Sequence, residues 1–428
     1  MPLSLFADVW LWVAIFSGCL VTFEPALYDM MLIPMAVFAF VMGLRIPRDQ
    51  GPLVTLLLVF NLGGLLAMTQ VEYNWDRAPT FVAISFFLAL KCIYLAATMA
   101  ENPHRMRVVM SAYVASAMVA ALLGLAGYIL KSDVLTLYGR AKGLFKDPNV
   151  FGPFLMLPAL WVAREILVKG LAAGLWKIFA LGVLFIGVFF SFSRAAWALY
   201  GFSLMFMGLF VFVNEQDQRK RLRLIIMFVG ALGLLVAILA VILSIDEIRD
   251  LFFVRAKLVQ DYDGARLGRF ARHGIAFAAA MGLPLGIGPY EFMQYFDFPE
   301  DPHNVYLKSL MVYGWIGALA YYALVLWTLA KSFPIMFKNR PWSGLMQCVF
   351  IVLMGHNLIS WIIDSDHWRH FYILWAFAWA IIAIDRREDR RRRAEPPAPT
   401  PPPPPRRAPV PHPAAGLARR VAAGPARR

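Results

Sequence analysis

The chain has 428 residues, of which 60% are hydrophobic and 16% charged, with a mean hydropathy of +0.62. A soluble domain of this size has no place for so much apolar surface, so an all-α polytopic membrane protein is expected. The net charge of +14 does not mark a nucleic-acid binder, because 12 Arg against three acidic residues fall after residue 385.

Twelve apolar runs of membrane-crossing length follow one another, at about 5–22, 25–44, 51–69, 79–99, 108–130, 150–167, 172–190, 194–213, 224–244, 305–330, 344–362 and 368–385. The first has no basic n-region and no small-residue cleavage site, so it reads as a retained helix. Cys19, Cys92 and Cys348 all lie in apolar runs without ligand spacing and are expected to be small core hydrophobes. Basic residues cluster at Arg45/Arg48, Arg105/Arg107, Arg164/Lys169/Lys177, Arg219–Arg223 and Lys331/Lys338/Arg340, and again after residue 385. Each cluster follows an even-numbered run, which places these segments and both termini in the cytoplasm by the positive-inside rule. The tail, 386–428, is basic and Pro-rich; disorder is expected, with the Arg390–Arg393 block drawn to anionic lipid headgroups.

The odd-numbered connections are then on the outer side, and several carry charge that contravenes the rule. Residues 131–149 contain Arg140, Lys142, Lys146, Asp147 and Asn149, and Ser191-Phe192-Ser193-Arg194 forms a very short turn. The long connection, about 245–304, carries Arg266, Arg269, Arg272 and His273, then Gly286-Ile287-Gly288-Pro289 and Asp301-Pro302-His303-Asn304. The last holds Asp364, Asp366, His367 and Arg369. Charges held near a membrane interface against the topology signal are functional candidates.

Arg266, Arg269, Arg272 and His273 fall at i, i+3, i+6 and i+7, one stripe of a helix if the segment is helical. Guanidinium forks match phosphate oxygens and keep their charge when partly buried. A helix lying on the membrane with a solvated basic face is the plainer reading of that stripe. Arg194 sits between two apolar runs, where a helix-end arginine reaching to headgroups is the plain alternative to a ligand-holding one. Gly286-Ile287-Gly288-Pro289 matches no phosphate-loop fingerprint and reads as a turn. His303 is expected at a helix start after Pro302, with a pKa suited to proton transfer near neutrality. His367 and His370 read as interfacial residues, and no metal-ligand spacing is present in the sequence.

Four blocks, taken together, carry a resemblance. They are Phe145-Lys146-Asp147-Pro148-Asn149-Val150-Phe151-Gly152, Ser191-Phe192-Ser193-Arg194-Ala195-Ala196-Trp197, Gly268-Arg269 with Pro284-Leu285-Gly286-Ile287-Gly288-Pro289, and Pro302-His303-Asn304-Val305-Tyr306-Leu307 with Tyr313-Gly314-Trp315-Ile316-Gly317. In this order, across about 140–320, they resemble the O-antigen ligase and O-antigen polymerase superfamily. His273 departs from the pattern, which usually has an aromatic residue at that position.

The resemblance implies a GT-C-like membrane glycosyltransferase fold in the bacterial inner membrane, with its active site facing the periplasm. It implies transfer of a glycan from an undecaprenyl-diphosphate carrier to an acceptor hydroxyl, without cofactor, metal or nucleotide sugar. The acceptor would be a lipid A core sugar for a ligase and a second carrier-linked chain for a polymerase. Carried over, Arg194 and Arg269 would hold the diphosphate and His303 would activate the hydroxyl. Arg140 and Arg266 join them by charge and position alone, and Asn149, Ser193 and Asn304 are supporting residues. The layout expected is N-terminal helices over 1–130, a ligase-like domain over 131–385 with the loop 245–304 and its short helices, and the tail 386–428. The single long outer loop favours a ligase over a polymerase. A transporter of the same anionic lipid would share the arginines but would not require His303.

Overall fold

The computed structural model describes residues 3–23, 25–257 and 268–394, so Arg266 and most of the tail lie outside the described residues. The N-terminal part contains α1 (Leu3–Phe16), α2 (Leu27–Val41), α3 (Gly51–Ala67), α4 (Ala78–Glu101) and α5 (His104–Ile129). A small antiparallel hairpin follows, β1 (Thr136–Leu137) with β2 (Arg140–Ala141), pairing Thr136 with Ala141 and Leu137 with Arg140. Next come α6 (Pro148–Phe154), α7 (Met156–Lys169), α8 (Leu175–Phe190), α9 (Arg194–Asn214) and α10 (Gln218–Ile242). Three shorter helices occupy the long connection: α11 (Asp246–Ala256), α12 (Arg269–Gly282) and α13 (Glu291–Phe296). The chain then enters α14 (Val305–Ser332), α15 (Ser343–Ile359) and α16 (Arg369–Ala394). The described residues up to Arg387 form one compact unit.

The protein is α-helical, and among the described residues seven helical stretches are long and apolar enough to cross a membrane: 48–70, 78–101, 104–129, 148–169, 194–214, 218–242 and 305–337. Four further apolar helices are shorter: Ser4–Cys19, Leu27–Val41, Leu175–Phe190 and Ser343–Ile359. Burial separates core helices from lipid-facing ones. In α16 every residue from His370 to Asp385 is buried, whereas the most apolar window of α10 is wholly unburied. An exposed helix of that composition has only hydrocarbon as a compatible neighbour. The three cysteines are free and buried, as small apolar residues would be.

Glycines set the packing of α14, the helix that leads away from His303. A Cβ on Gly63 of α3 would lie 2.6 Å from the Gly317 backbone, so the two helices touch main chain to main chain. At Gly314 the helix is kinked (φ +63°), and the Pro284–Gly288 turn docks into the kink. The Trp315 N–H donates to the Pro284 carbonyl (2.9 Å), and the Ile287 N–H to that of Met311 (2.7 Å). Gly286 and Gly288 also have positive φ, so Gly286-Ile287-Gly288-Pro289 is a docking turn, as the sequence suggested. A Cβ on Gly314 would meet the Leu285 and Pro284 backbone at 2.8 Å. Gly314→Ala is therefore expected to destabilise the protein by at least about 2 kcal/mol, read as a lower unfolding midpoint in detergent. Gly274→Ala, with nothing within 4 Å of the new methyl, is the neutral control.

A second tie fixes the loop between α3 and α4. The buried Glu291 carboxylate accepts from the N–H groups of Glu72 (3.1 Å), Tyr73 (3.1 Å) and Asn74 (2.8 Å) and from the Asn74 amide (3.0 Å). Four donors on one ionised group give charge-assisted bonds that hold the long connection against the N-terminal helices.

Candidate functional site

Segments that connect the apolar runs meet one another. The Val21 N–H donates to the Leu144 carbonyl (3.3 Å), and the Val305 N–H to that of Ser360 (2.9 Å). The second of these brings the 360–368 loop against the start of α14, and with it the partners of His303.

His303 has a left-handed backbone (φ +52°), a costly conformation for a side chain of its size. Its surroundings hold it there. Asn304 caps α14, its Oδ1 accepting from the N–H groups of Tyr306 (3.0 Å) and Leu307 (3.1 Å). One residue upstream, the His273 imidazole donates through Nε2 to the Pro302 carbonyl (2.7 Å). His273, whose departure from an aromatic residue had no role in the sequence reading, thus clamps the backbone beside His303. Burial pushes its pKa down against the pull of that carbonyl, and the Arg269 and Arg272 charges add to burial, which keeps it neutral.

The imidazole of His303 has an acid on each side. Nδ1 lies 3.0 Å from Asp364 Oδ2, and Nε2 lies 3.6 Å from Glu300 Oε2. An ionised carboxylate only accepts, so Nδ1 carries a proton, and in the neutral imidazole Nε2 presents the lone pair. The hydrogen bond that His303 donates to Asp364 raises its pKa above the ordinary value of 6.5; burial opposes it, and the Asp364 and Glu300 charges reinforce it. Burial would push Asp364 up, but Lys308 and His303 hold it below the usual carboxylate range. Lys308 Nζ reaches Asp366 (3.5 Å) and Asp364 (3.9 Å). Sequence reasoning named Asp364 without a role, because a partner 61 positions away has no local signature.

The arginines divide. Arg269 is the first residue of α12, and its charge bears on both His303 and His273. Arg272, one turn on, is buried and paired with Glu300 (3.0 Å), so it serves the fold of the loop. Arg266, expected on the same stripe, lies outside the described residues. Arg194 is the first residue of α9, capped by Ser193, whose Oγ accepts from the Ala196 N–H (3.4 Å). The Arg194 guanidinium donates to the Lys257 carbonyl (3.0 Å) at the end of the described part of the long connection. Arg140 is buried and donates to the Ser191 carbonyl (2.9 Å) and to Asn149 Oδ1 (2.9 Å). Residues 140, 149, 191 and 193 therefore form one group under Arg194, and residues 269, 273, 300, 303, 304 and 364 form another.

Residues 179–322 match the family model described as O-antigen ligase. Over those residues the chain carries an O-antigen ligase family domain. Arg194, Arg269 and His303 all lie inside the matched span, while Arg140, Asn149 and Asp364 lie outside it. No curated protein matches the chain. Among the described residues, no three His, Cys, Asp or Glu side chains are grouped as a cation site.

Sequence reasoning also missed a buried ionic cluster near the ligase domain. Asp29 pairs with Lys91, and it accepts from Arg369 through Nε (2.9 Å) and Nη2 (2.6 Å). The available signal was a Lys inside the apolar run 79–99 and an Asp near the start of another, opposite charges that hydrocarbon forces together. His370, expected at the interface, is buried as well.

The pairing of His303 with Asp364 has a measurable consequence. If Nε2 accepts a proton during turnover, His303 must be neutral, and its raised pKa puts the acid limb of the pH–activity profile above pH 6.5. Asp364→Asn removes the hydrogen bond and the charge that raise the His303 pKa most, leaving only the Glu300 charge to oppose burial and Arg269, which push the other way. The limb is expected to move to lower pH, with lower maximal activity because the imidazolium loses its counter-charge. An unmoved limb would separate Asp364 from the titration.

Proposed function

We propose that the protein is an O-antigen ligase-type glycosyltransferase that moves a glycan from undecaprenyl diphosphate to a hydroxyl of an acceptor sugar, the lipid A core. The observation that carries this reading is the His303–Asp364 pair, with its Nε2 lone pair in the electrostatic reach of Arg269. In the reaction, His303 Nε2 takes the proton of the acceptor hydroxyl as its oxygen attacks the anomeric carbon. The bond from that carbon to the diphosphate oxygen breaks, its electron pair leaves with the diphosphate, and the configuration inverts. Asp364 stabilises the imidazolium that forms.

Arg194 and Arg269 hold the diphosphate. Each is the first residue of a helix, where unbonded N–H groups and the positive end of the macrodipole already favour an anion. A cation there opposes the dipole in the empty protein and is favourable once a diphosphate arrives. Arg140 and Asn149 act through the Ser191–Ser193 turn that carries Arg194, and Arg266, three positions before Arg269 in the sequence, contributes by its charge.

The twelve runs of the sequence correspond to a twelve-pass, GT-C-like arrangement in the bacterial inner membrane. Both termini are cytoplasmic and the site is periplasmic, following the basic clusters on even-numbered connections. Gel analysis of lipopolysaccharide from a deletion strain tests the function. Loss of a ligase leaves the core uncapped while carrier-linked polymer accumulates; a core bearing a single repeat unit would instead identify a polymerase. Normal capped lipopolysaccharide would remove both.

A further inference from the structure

A cavity of about 170 Å³ lies beside the Asp29 cluster, between α1, α2, α5, the 145–154 segment and the start of α16. Its polar wall is made of Lys146, His367, Arg369 and His370, and no carboxylate lines it among the described residues. Tyr28, Phe154 and Trp368 supply much of the rest. It is distinct from the groups around His303 and Arg194, although the 360–368 loop joins it to the first of these.

Three observations describe what this wall lacks. First, Asp29 is shared by Lys91 and Arg369, so one carboxylate faces two cations and the cluster carries a positive charge in excess. Charge taken out of water is normally balanced, because an uncompensated buried ion is costly. Second, the His370 side chain is 2% exposed, and its Nε2 is buried without a hydrogen-bond partner among the described residues. Third, the His367 Nε2 is likewise buried and unpartnered among them, while its Nδ1 bonds the Asp366 carboxylate (2.9 Å). Excess positive charge and two unpartnered imidazole nitrogens, with no carboxylate in the wall among the described residues, are the complement of a compact anion with several oxygens.

We infer that this cavity is a second anion site, one that takes a phosphoryl group. The group fits as a phosphate carried by a saccharide or as the headgroup phosphate of a membrane lipid; the aromatic wall accommodates either a sugar face or an acyl-glycerol edge. The inference stands apart from the proposed transfer reaction, which uses Arg194, Arg269 and His303.

The test uses the full-length protein in detergent, carrying Arg269→Ala so that the diphosphate group proposed above is weakened. Thermal unfolding is followed with inorganic phosphate, against chloride at equal ionic strength. Phosphate is expected to raise the midpoint by a few degrees, through preferential binding to the folded state. Adding Lys146→Met is expected to weaken the apparent affinity about tenfold, and His370→Gln likewise, the usual scale of one charge-assisted hydrogen bond. Glucose 6-phosphate acting at lower concentration than inorganic phosphate would assign the site to a phosphorylated saccharide. A midpoint already raised in phosphatidylglycerol nanodiscs relative to phosphatidylcholine, with no further response to phosphate, would assign it to a lipid headgroup. No phosphate response, or one unchanged in both variants, would overturn the site while leaving the transfer reaction untouched.

Discussion

His303→Ala is expected to lower glycan transfer by about 10²–10⁴-fold, the range general-base catalysis supplies, while the protein still binds its carrier lipid. The reason is positional. His303 presents Nε2 from a left-handed backbone that Asn304, the His273–Pro302 clamp and the Val305–Ser360 bond hold in place. None of these ties uses the imidazole, so its removal leaves the α14 cap formed. The measurement is in vitro transfer from purified lipid-linked glycan, paired with carrier binding. A transporter or a simple lipid-binding protein loses nothing when this imidazole goes, so normal transfer by the variant would falsify the catalytic assignment. A variant that fails to bind the carrier at all would place His303 in substrate holding.

Arg269→Ala is expected to cost about 10²–10³-fold in transfer, the scale for losing one group that stabilises developing negative charge. Arg269→Lys is expected to restore only part of it, because a point charge does not reproduce a guanidinium fork on two phosphate oxygens. The stability of the ligand-free protein separates this role from a structural one. Arg269 is the first residue of α12, where a cation opposes the helix macrodipole by about 0.3–1 kcal/mol. Removing it relieves that opposition, so the unfolding midpoint should fall less than it does for a buried, ion-paired arginine. Arg272→Ala is the contrasting case: its buried guanidinium pairs with Glu300, so that change should lower the midpoint. If Arg269→Ala fell in stability as far as in activity, the arginine would belong to the loop's fold.

The two arginine results also bear on how the basic stripe is read. At the level of spacing, Arg266, Arg269, Arg272 and His273 are equivalent members of one helix face. The fold makes them unequal: Arg272 is consumed by Glu300, and His273 by the Pro302 carbonyl. Only the positions of Glu300 and Pro302, some 28 residues on, decide this.

The sequence alone determined that this is a helical membrane protein, because only intra-segment hydrogen bonding tolerates so many apolar runs. It also marked Arg194 and His303, through charge on the wrong side of the topology pattern and a Pro-His-Asn helix start, which are local signals, while only the family resemblance picked Arg269 out of its stripe. Tertiary structure decided the rest. Asp364 reaches His303, Lys308 steadies Asp364, and Asp29 is shared by Lys91 and Arg369 across contacts of 56 to 340 positions. Periodicity and composition report on a residue's own helix and its own solvent. Which buried charge answers which is fixed only when separate helices pack, since each must find its counter-ion wherever the fold has brought one within reach.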